Sequence, residues 1–156
     1  MPPATILLMR HAEKPEDRRG PHLSQAGRRR AERLAAYIPE VFGPPDFLFA
    51  AADKPGSHRP RLTLQPLAAA TGLAVTQFPD RESDAFASKL LAEPKFAEKR
   101  VVVSWRHDAL PALARALGAP EGFCPDPWPE GLYDLLLQFD YEADRKARVS
   151  ALTQPF

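Results

Sequence analysis

The chain has 156 residues, enough for one domain with a real core and too few for two of ordinary size. Apolar residues make up 44% and charged residues 26%, a globular mixture that excludes a disordered chain. A formal charge of +1 gives no global pull towards nucleic acid or an acidic membrane, and the single cysteine, Cys124, excludes both an internal disulfide framework and a zinc site built on two or more thiolates.

The first apolar run, Thr5 to Met9, has the character of a buried strand. Neither a basic flank nor a small-residue cleavage site surrounds it, and no run approaches the ~20 apolar residues that cross a bilayer. A soluble, cytoplasmic protein is therefore expected. Ser24 is placed to cap a helix in which Gly27, Ala31, Leu34, Ala35 and Ile38 recur at helical spacing. The arginines of that helix, Arg28, Arg29, Arg30 and Arg33, read as a wet face rather than as a nucleic-acid site. Asp46 to Ala51 reads as a second strand and Pro60 to Thr71 as a helix closed by Gly72, with Pro66 expected to kink it.

Ala74 to Phe78 is a third strand and Ser83 to Ala92 a third helix. Arg100 to Trp105 is the strongest strand of all. Asp108 is expected to cap the next helix, whose apolar stripe is Leu110, Leu113, Ala114 and Leu117. After a proline-rich loop, Pro120 to Pro129, Leu132 to Tyr141 reads as the last strand. The 18 prolines mostly punctuate elements, Pro39 among them, and mark no domain boundary, so residues 1–156 are read as one domain. The alternation predicts an α/β fold, a three-layer α/β/α sandwich on a mostly parallel sheet of about five strands.

In such sheets ligands bind at the carboxyl ends of the strands. The first strand runs into Arg10-His11, the second precedes a loop with His58-Arg59, and the strongest ends in Arg106-His107. Arginine offers a planar fork matched to phosphate oxygens, and histidine can be donor, base or nucleophile, so the set suits a phosphoryl group.

These residues carry a resemblance to the histidine phosphatase superfamily, the phosphoglycerate-mutase-like group, in its small single-domain form. Leu7-Leu8-Met9-Arg10-His11-Ala12-Glu13 resembles the family's opening strand and Arg-His-Gly signature, with Ala12 for the commoner glycine. Leu23-Ser24-Gln25-Ala26-Gly27 resembles the step into its first helix. In Ser57-His58-Arg59-Pro60-Arg61-Leu62-Thr63 the threonine four residues on marks Arg59, not Arg61, as the second arginine. Val101 to His107 resembles the strand that delivers the second histidine, although Arg106 stands where serine or glycine is usual.

The resemblance implies a phosphohistidine mechanism without metal or other cofactor. His11 would attack phosphorus, and Arg10, Arg59 and His107 would hold the phosphoryl oxygens. For the proton donor it suggests Glu82, in a degenerate local pattern. Asp108, directly after the second histidine, is the alternative, and a third is that neither acts, leaving activated substrates such as acyl phosphates or phosphoramidates. The implied partner is a phosphorylated small molecule or a phosphoprotein, with no nucleic acid and no membrane. A binding module that keeps the pocket without turnover is the competing reading.

Lesser candidates are His58 near the phosphate, Lys14 and Asp17 at the mouth, and Trp128 in the proline-rich loop. A metallophosphatase built on His11, His58 and His107 is a further alternative. His11-Ala12-Glu13 fits the His-x-Glu of zinc deaminases, but Phe123-Cys124-Pro125-Asp126 supplies one thiolate where two are needed. Cys124 has Glu130, not arginine, six residues on, against a cysteine phosphatase. No glycine-rich nucleotide loop is present.

Overall fold

In the computed structural model, which describes residues 1–16, 20–144 and 146–156, Thr5–Arg10 forms strand β1 at the heart of the sheet. Its side chains alternate between two cores. Ile6 and Leu8 join Phe86, Trp105, Leu110 and Leu113 on one face. Leu7 and Met9 join Leu34, Ile38, Leu64 and Leu67 on the other. A strand buried on both faces has no polar side to show, which is why its sequence is a continuous apolar run.

The remaining strands are β2 (Phe47–Ala51), β3 (Val75–Phe78), β4 (Arg100–Trp105), β5 (Leu135–Tyr141) and β6 (Ala147–Thr153), in the order β3-β2-β4-β1-β5-β6. The pairs β3-β2, β2-β4 and β4-β1 are parallel, and β1-β5 and β5-β6 are antiparallel. Helices α1 (Gln25–Phe42) and α2 (Arg59–Thr71) supply buried residues to one face, and α3 (Ser83–Ala92) and α4 (Leu110–Ala116) to the other. The three-layer α/β/α expectation therefore holds, with a mostly parallel sheet. Among the described residues, no helix is long and apolar enough to cross a membrane.

The sheet has six strands rather than about five. The additional one, β6, is an edge strand whose residues are half-buried or exposed, so it lacks the apolar run that marks a central strand. The last predicted strand also begins later than its composition suggests. Leu132, Tyr133 and Asp134 stay outside β5, and the Leu132 carbonyl accepts from Arg10 and Trp128 side chains rather than from a neighbouring strand. Pro39 does not punctuate an element but lies inside α1. Asp108 does not cap α4. The N-cap is Ala109, with no side-chain hydrogen bond.

Candidate active site

The parallel register sets Arg10 opposite Trp105, so the residues that follow β1 and β4 emerge side by side. The His11 main-chain N–H donates to the Trp105 carbonyl at 3.0 Å, and the His11 side chain is buried, 4% exposed. Its Nδ1 lies 2.7 Å from the Ala12 carbonyl oxygen. A carbonyl only accepts, so Nδ1 carries the hydrogen and Nε2 keeps the lone pair. Burial pushes the His11 pKa down to about 3, and Arg10, Arg59 and Arg106 push the same way against the raising effect of the Ala12 hydrogen bond. The ring is therefore neutral at neutral pH.

The segment after β1 is held on several sides. The Ala12 N–H donates to Thr63 Oγ1 at 2.8 Å, and that hydroxyl donates to the Arg59 carbonyl at 2.8 Å. This link accounts for the threonine four residues after Arg59. Ser24 caps α1 by accepting from the Gly27 N–H at 3.0 Å, while its own N–H donates to the Glu13 carbonyl at 2.9 Å. Gly27 packs so closely that a Cβ there would stand 2.4 Å from the Glu13 carbonyl oxygen. Arg30 completes the anchorage with two hydrogen bonds to the Glu13 carboxylate, at 3.0 and 3.2 Å.

Arg10 is 1% exposed. Its Nη1 donates to the main-chain carbonyls of Glu130 and Leu132, the latter at 3.3 Å, while Nε and Nη2 are buried with no protein partner. The Tyr133 ring lies against the guanidinium, 4.0 Å from Cζ to the ring centroid, and 6.2 Å from the His11 ring. Lys14 pairs with Glu130 at 3.0 Å and ties the same 129–132 strap to the segment after β1. Arg59, the first residue of α2, donates through Nη1 to the carbonyls of Gly20 at 3.1 Å and His22 at 3.4 Å, and its Nε is likewise buried without a partner. Tyr133 acts electrostatically on both Arg10 and Arg59. His107 is half-buried. Burial lowers its pKa, Arg10 adds to this, and Asp108 opposes it.

The fold around this cluster has close counterparts. The chain aligns with a protein of Agrobacterium tumefaciens provisionally named phosphohistidine phosphatase SixA, at 22% identity and a TM-score of 0.67, over 97% of this chain and 98% of that one. A mycobacterial glucosyl-3-phosphoglycerate phosphatase in complex with VO3 aligns at 15% identity and a TM-score of 0.70, over 97% and 99%. This is the histidine phosphatase fold. The protein histidine phosphatase SixA in complex with tungstate shares it, at 12% identity and a TM-score of 0.65, over 96% of each chain. No protein-family model and no curated protein sequence matches the chain.

Within the histidine phosphatase fold, the structure brings together His11, Arg10 and Arg59, with His107 in the field of Arg10. It does not bring Glu82 to them. Glu82 is exposed at the end of the 3₁₀ turn Asp80–Glu82, with no side-chain hydrogen bond or ion pair. Asp108 is exposed and bears on the cluster only through its effect on His107. His58 is half-buried at the N-cap of α2, and its ring makes no capping hydrogen bond. Trp128 is a packing residue, 4% exposed, with Nε1 donating to the Leu132 carbonyl at 3.0 Å. Asp17 lies outside the described residues. Among the described residues no three His, Cys, Asp or Glu side chains converge as metal ligands, so His58 does not join His11 and His107 in such a set.

Two features escaped the sequence reading. Tyr133 carried no signal, since it sits in a run read as strand. Arg106 did carry one, as a departure from serine or glycine, but its direction was not legible. It turns away from the cluster mouth, donating to Asp80 Oδ2 at 3.1 Å and to the Ser57 carbonyl at 2.9 Å.

Proposed function

We propose that the chain is a metal-independent phosphatase in which His11 Nε2 attacks the phosphoryl group and forms a covalent phosphohistidine. The observation that carries this reading is the state of His11: neutral, its Nδ1–H held by the Ala12 carbonyl, its Nε2 lone pair available beside two guanidiniums. Charge-assisted hydrogen bonds from guanidiniums suit phosphoryl oxygens, and Arg10 and Arg59 both act electrostatically on the His11 ring, which supports their role as phosphoryl ligands, together with His107. As the P–O or P–N bond to the leaving group breaks, the transferring group is flanked by cations that spread its charge. Water then attacks phosphorus, the P–Nε2 bond breaks, and phosphate and neutral His11 are regained.

Neither Glu82 nor Asp108 makes a contact that would aim its proton at the leaving group. This favours a substrate whose leaving group departs without a proton from an enzyme carboxylate. Phosphoramidates meet that condition, as do acyl phosphates. A phosphorylated histidine on a partner protein is one such phosphoramidate, and the name of the Agrobacterium tumefaciens neighbour points the same way.

The test is hydrolysis of phosphoramidate and of an aryl phosphate in EDTA, by the wild type and by His11→Ala. Turnover that persists in EDTA and vanishes in the variant is expected, with a phosphoenzyme trapped on His11 by acid quench. Turnover lost on adding EDTA would overturn the mechanism. No turnover, with phosphate still bound, would make the chain a binding module.

A further inference from the structure

The Arg106 guanidinium and the Asp80 carboxylate are 7% and 5% exposed, and neither touches the substrate in the reading above. A buried ion pair gives little net stability, because desolvating two charges offsets their attraction. The best-attested use of such a pair is to fix the segments that carry it in register. Here those segments are the carboxyl ends of three adjacent parallel strands. Arg106 follows β4, Asp80 follows β3, and Ser57 and Lys54 belong to the turn after β2.

The links among Arg106, Asp80, Lys54 and Ser57 are short, and the one from Ser57 to Arg59 is longer. Arg106 donates to Asp80 Oδ2 at 3.1 Å and to the Ser57 carbonyl at 2.9 Å. Lys54 pairs with Asp80 Oδ1 at 3.1 Å, and Lys54 and Ser57 exchange main-chain hydrogen bonds at 3.0 Å in each direction. Ser57 Oγ then accepts from the Arg59 N–H at 3.4 Å. Arg106 is thus one guanidinium joined to both cationic segments of the pocket. It precedes His107 in the chain, and through Ser57 it holds the turn that leads into Arg59. Serine or glycine at position 106 would have no reach to either partner.

We propose that Arg106 and Asp80 form a positioning clamp for the phosphoryl pocket, fixing the Lys54–Ser57 turn against the end of β4 so that Arg59 and His107 keep their relative places. The clamp rests on the phosphatase reading, and acts through Arg59 rather than on phosphorus.

A double-mutant cycle tests it. Arg106→Gln and Arg59→Ala are made singly and together, with aryl phosphate turnover, orthovanadate affinity and melting temperature measured for each. Arg106→Gln alone should lower kcat/KM by about 10- to 100-fold, and vanadate affinity with it. In the Arg59→Ala background the same change should cost less than about twofold, because the residue it positions is gone. Arg106→Lys, a point charge that can serve Asp80 or Ser57 but not both, should fall between wild type and Arg106→Gln. Equal fold-losses in both backgrounds, or losses that follow melting temperature alone, would overturn the clamp. Should Arg106→Gln fail to fold, Asp80→Asn enters the same cycle, with the same outcomes. A wild type without His11-dependent turnover would defeat the phosphatase reading, and the cycle would then be decided on vanadate affinity alone. A wild type that neither turns over nor binds vanadate would overturn both.

Discussion

Arg10 ends β1 and Glu82 follows β3 in the same parallel array, and the two are held very differently. Arg10 is buried, reaches main-chain carbonyls of a distant strap and lies against the Tyr133 ring. Glu82 is the exposed last residue of the Asp80–Glu82 turn and has no side-chain partner. One side of the site is over-determined and the other is left to solvent. A pocket that must meet tetrahedral oxygens at fixed distances needs rigid donors, because misplacement by a fraction of an ångström forfeits charge stabilisation. A leaving group that departs unaided demands no such precision.

The sharpest test of this asymmetry is Arg10→Ala. It should lower kcat/KM by about 10²–10³, the range for losing one preorganised charge-stabilising donor. A loss under tenfold would mean that the gripping side is not where catalysis is made. The next effect is on stability. An unfolded histidine titrates near 6.5, whereas His11 in the folded chain titrates at about 3. Between those values the unfolded state binds the extra proton, so the native state loses stability as pH falls, by at most ~1.4 kcal/mol per pH unit from this residue. Urea unfolding from pH 7 to pH 4 should therefore show His11→Asn gaining on the wild type as the solution is acidified. A constant difference would break the assignment of a neutral buried ring.

Gly27→Ala comes third. The new methyl would meet the Glu13 carbonyl oxygen at 2.4 Å, and relief requires moving the segment next to His11. A loss of about 1–3 kcal/mol is expected, with a lower melting temperature and a lower kcat. The smallest effect belongs to the exposed side. Glu82→Gln should change kcat by less than about twofold for phosphoramidate and aryl phosphate alike. A large loss confined to poor leaving groups would restore Glu82 as the proton donor.

The comparison also marks what could be read from residues alone. Central strands, the Ser24 cap and the Gly72 helix stop are local signals, and β4, α3 and α1 lie where pattern and capping put them. The convergence of Arg10, His11 and His107 was legible because strand ends in a parallel sheet converge, whereas Arg59, which opens α2, was picked out over Arg61 by the resemblance in its spacing to Thr63. The strap at 129–132 was not. Its role lies in main-chain carbonyls, which every sequence has and none advertises. The edge strand β6 was missed because solvent on one side removes the apolar run. Arg106 illustrates a third kind of difficulty: an unusual residue type was visible, while its partner, Asp80, is 26 residues away and is chosen by packing.

The tie between Arg10 and the strap has a consequence for biosynthesis. The acceptors of its guanidinium at Glu130 and Leu132 lie 120 and 122 residues further along the chain. Among the described residues β1 pairs with β4 and β5, both made much later. Arg10 leaves the ribosome about 120 residues ahead of the strap that holds it, so its surroundings cannot assemble until residues 129–132 have followed, and contacts of such long sequence separation form slowly. A nascent chain that stops short of residue 129 carries His11 beside an Arg10 that the strap does not yet hold, so on the proposed reading phosphatase capacity cannot precede synthesis of that strap.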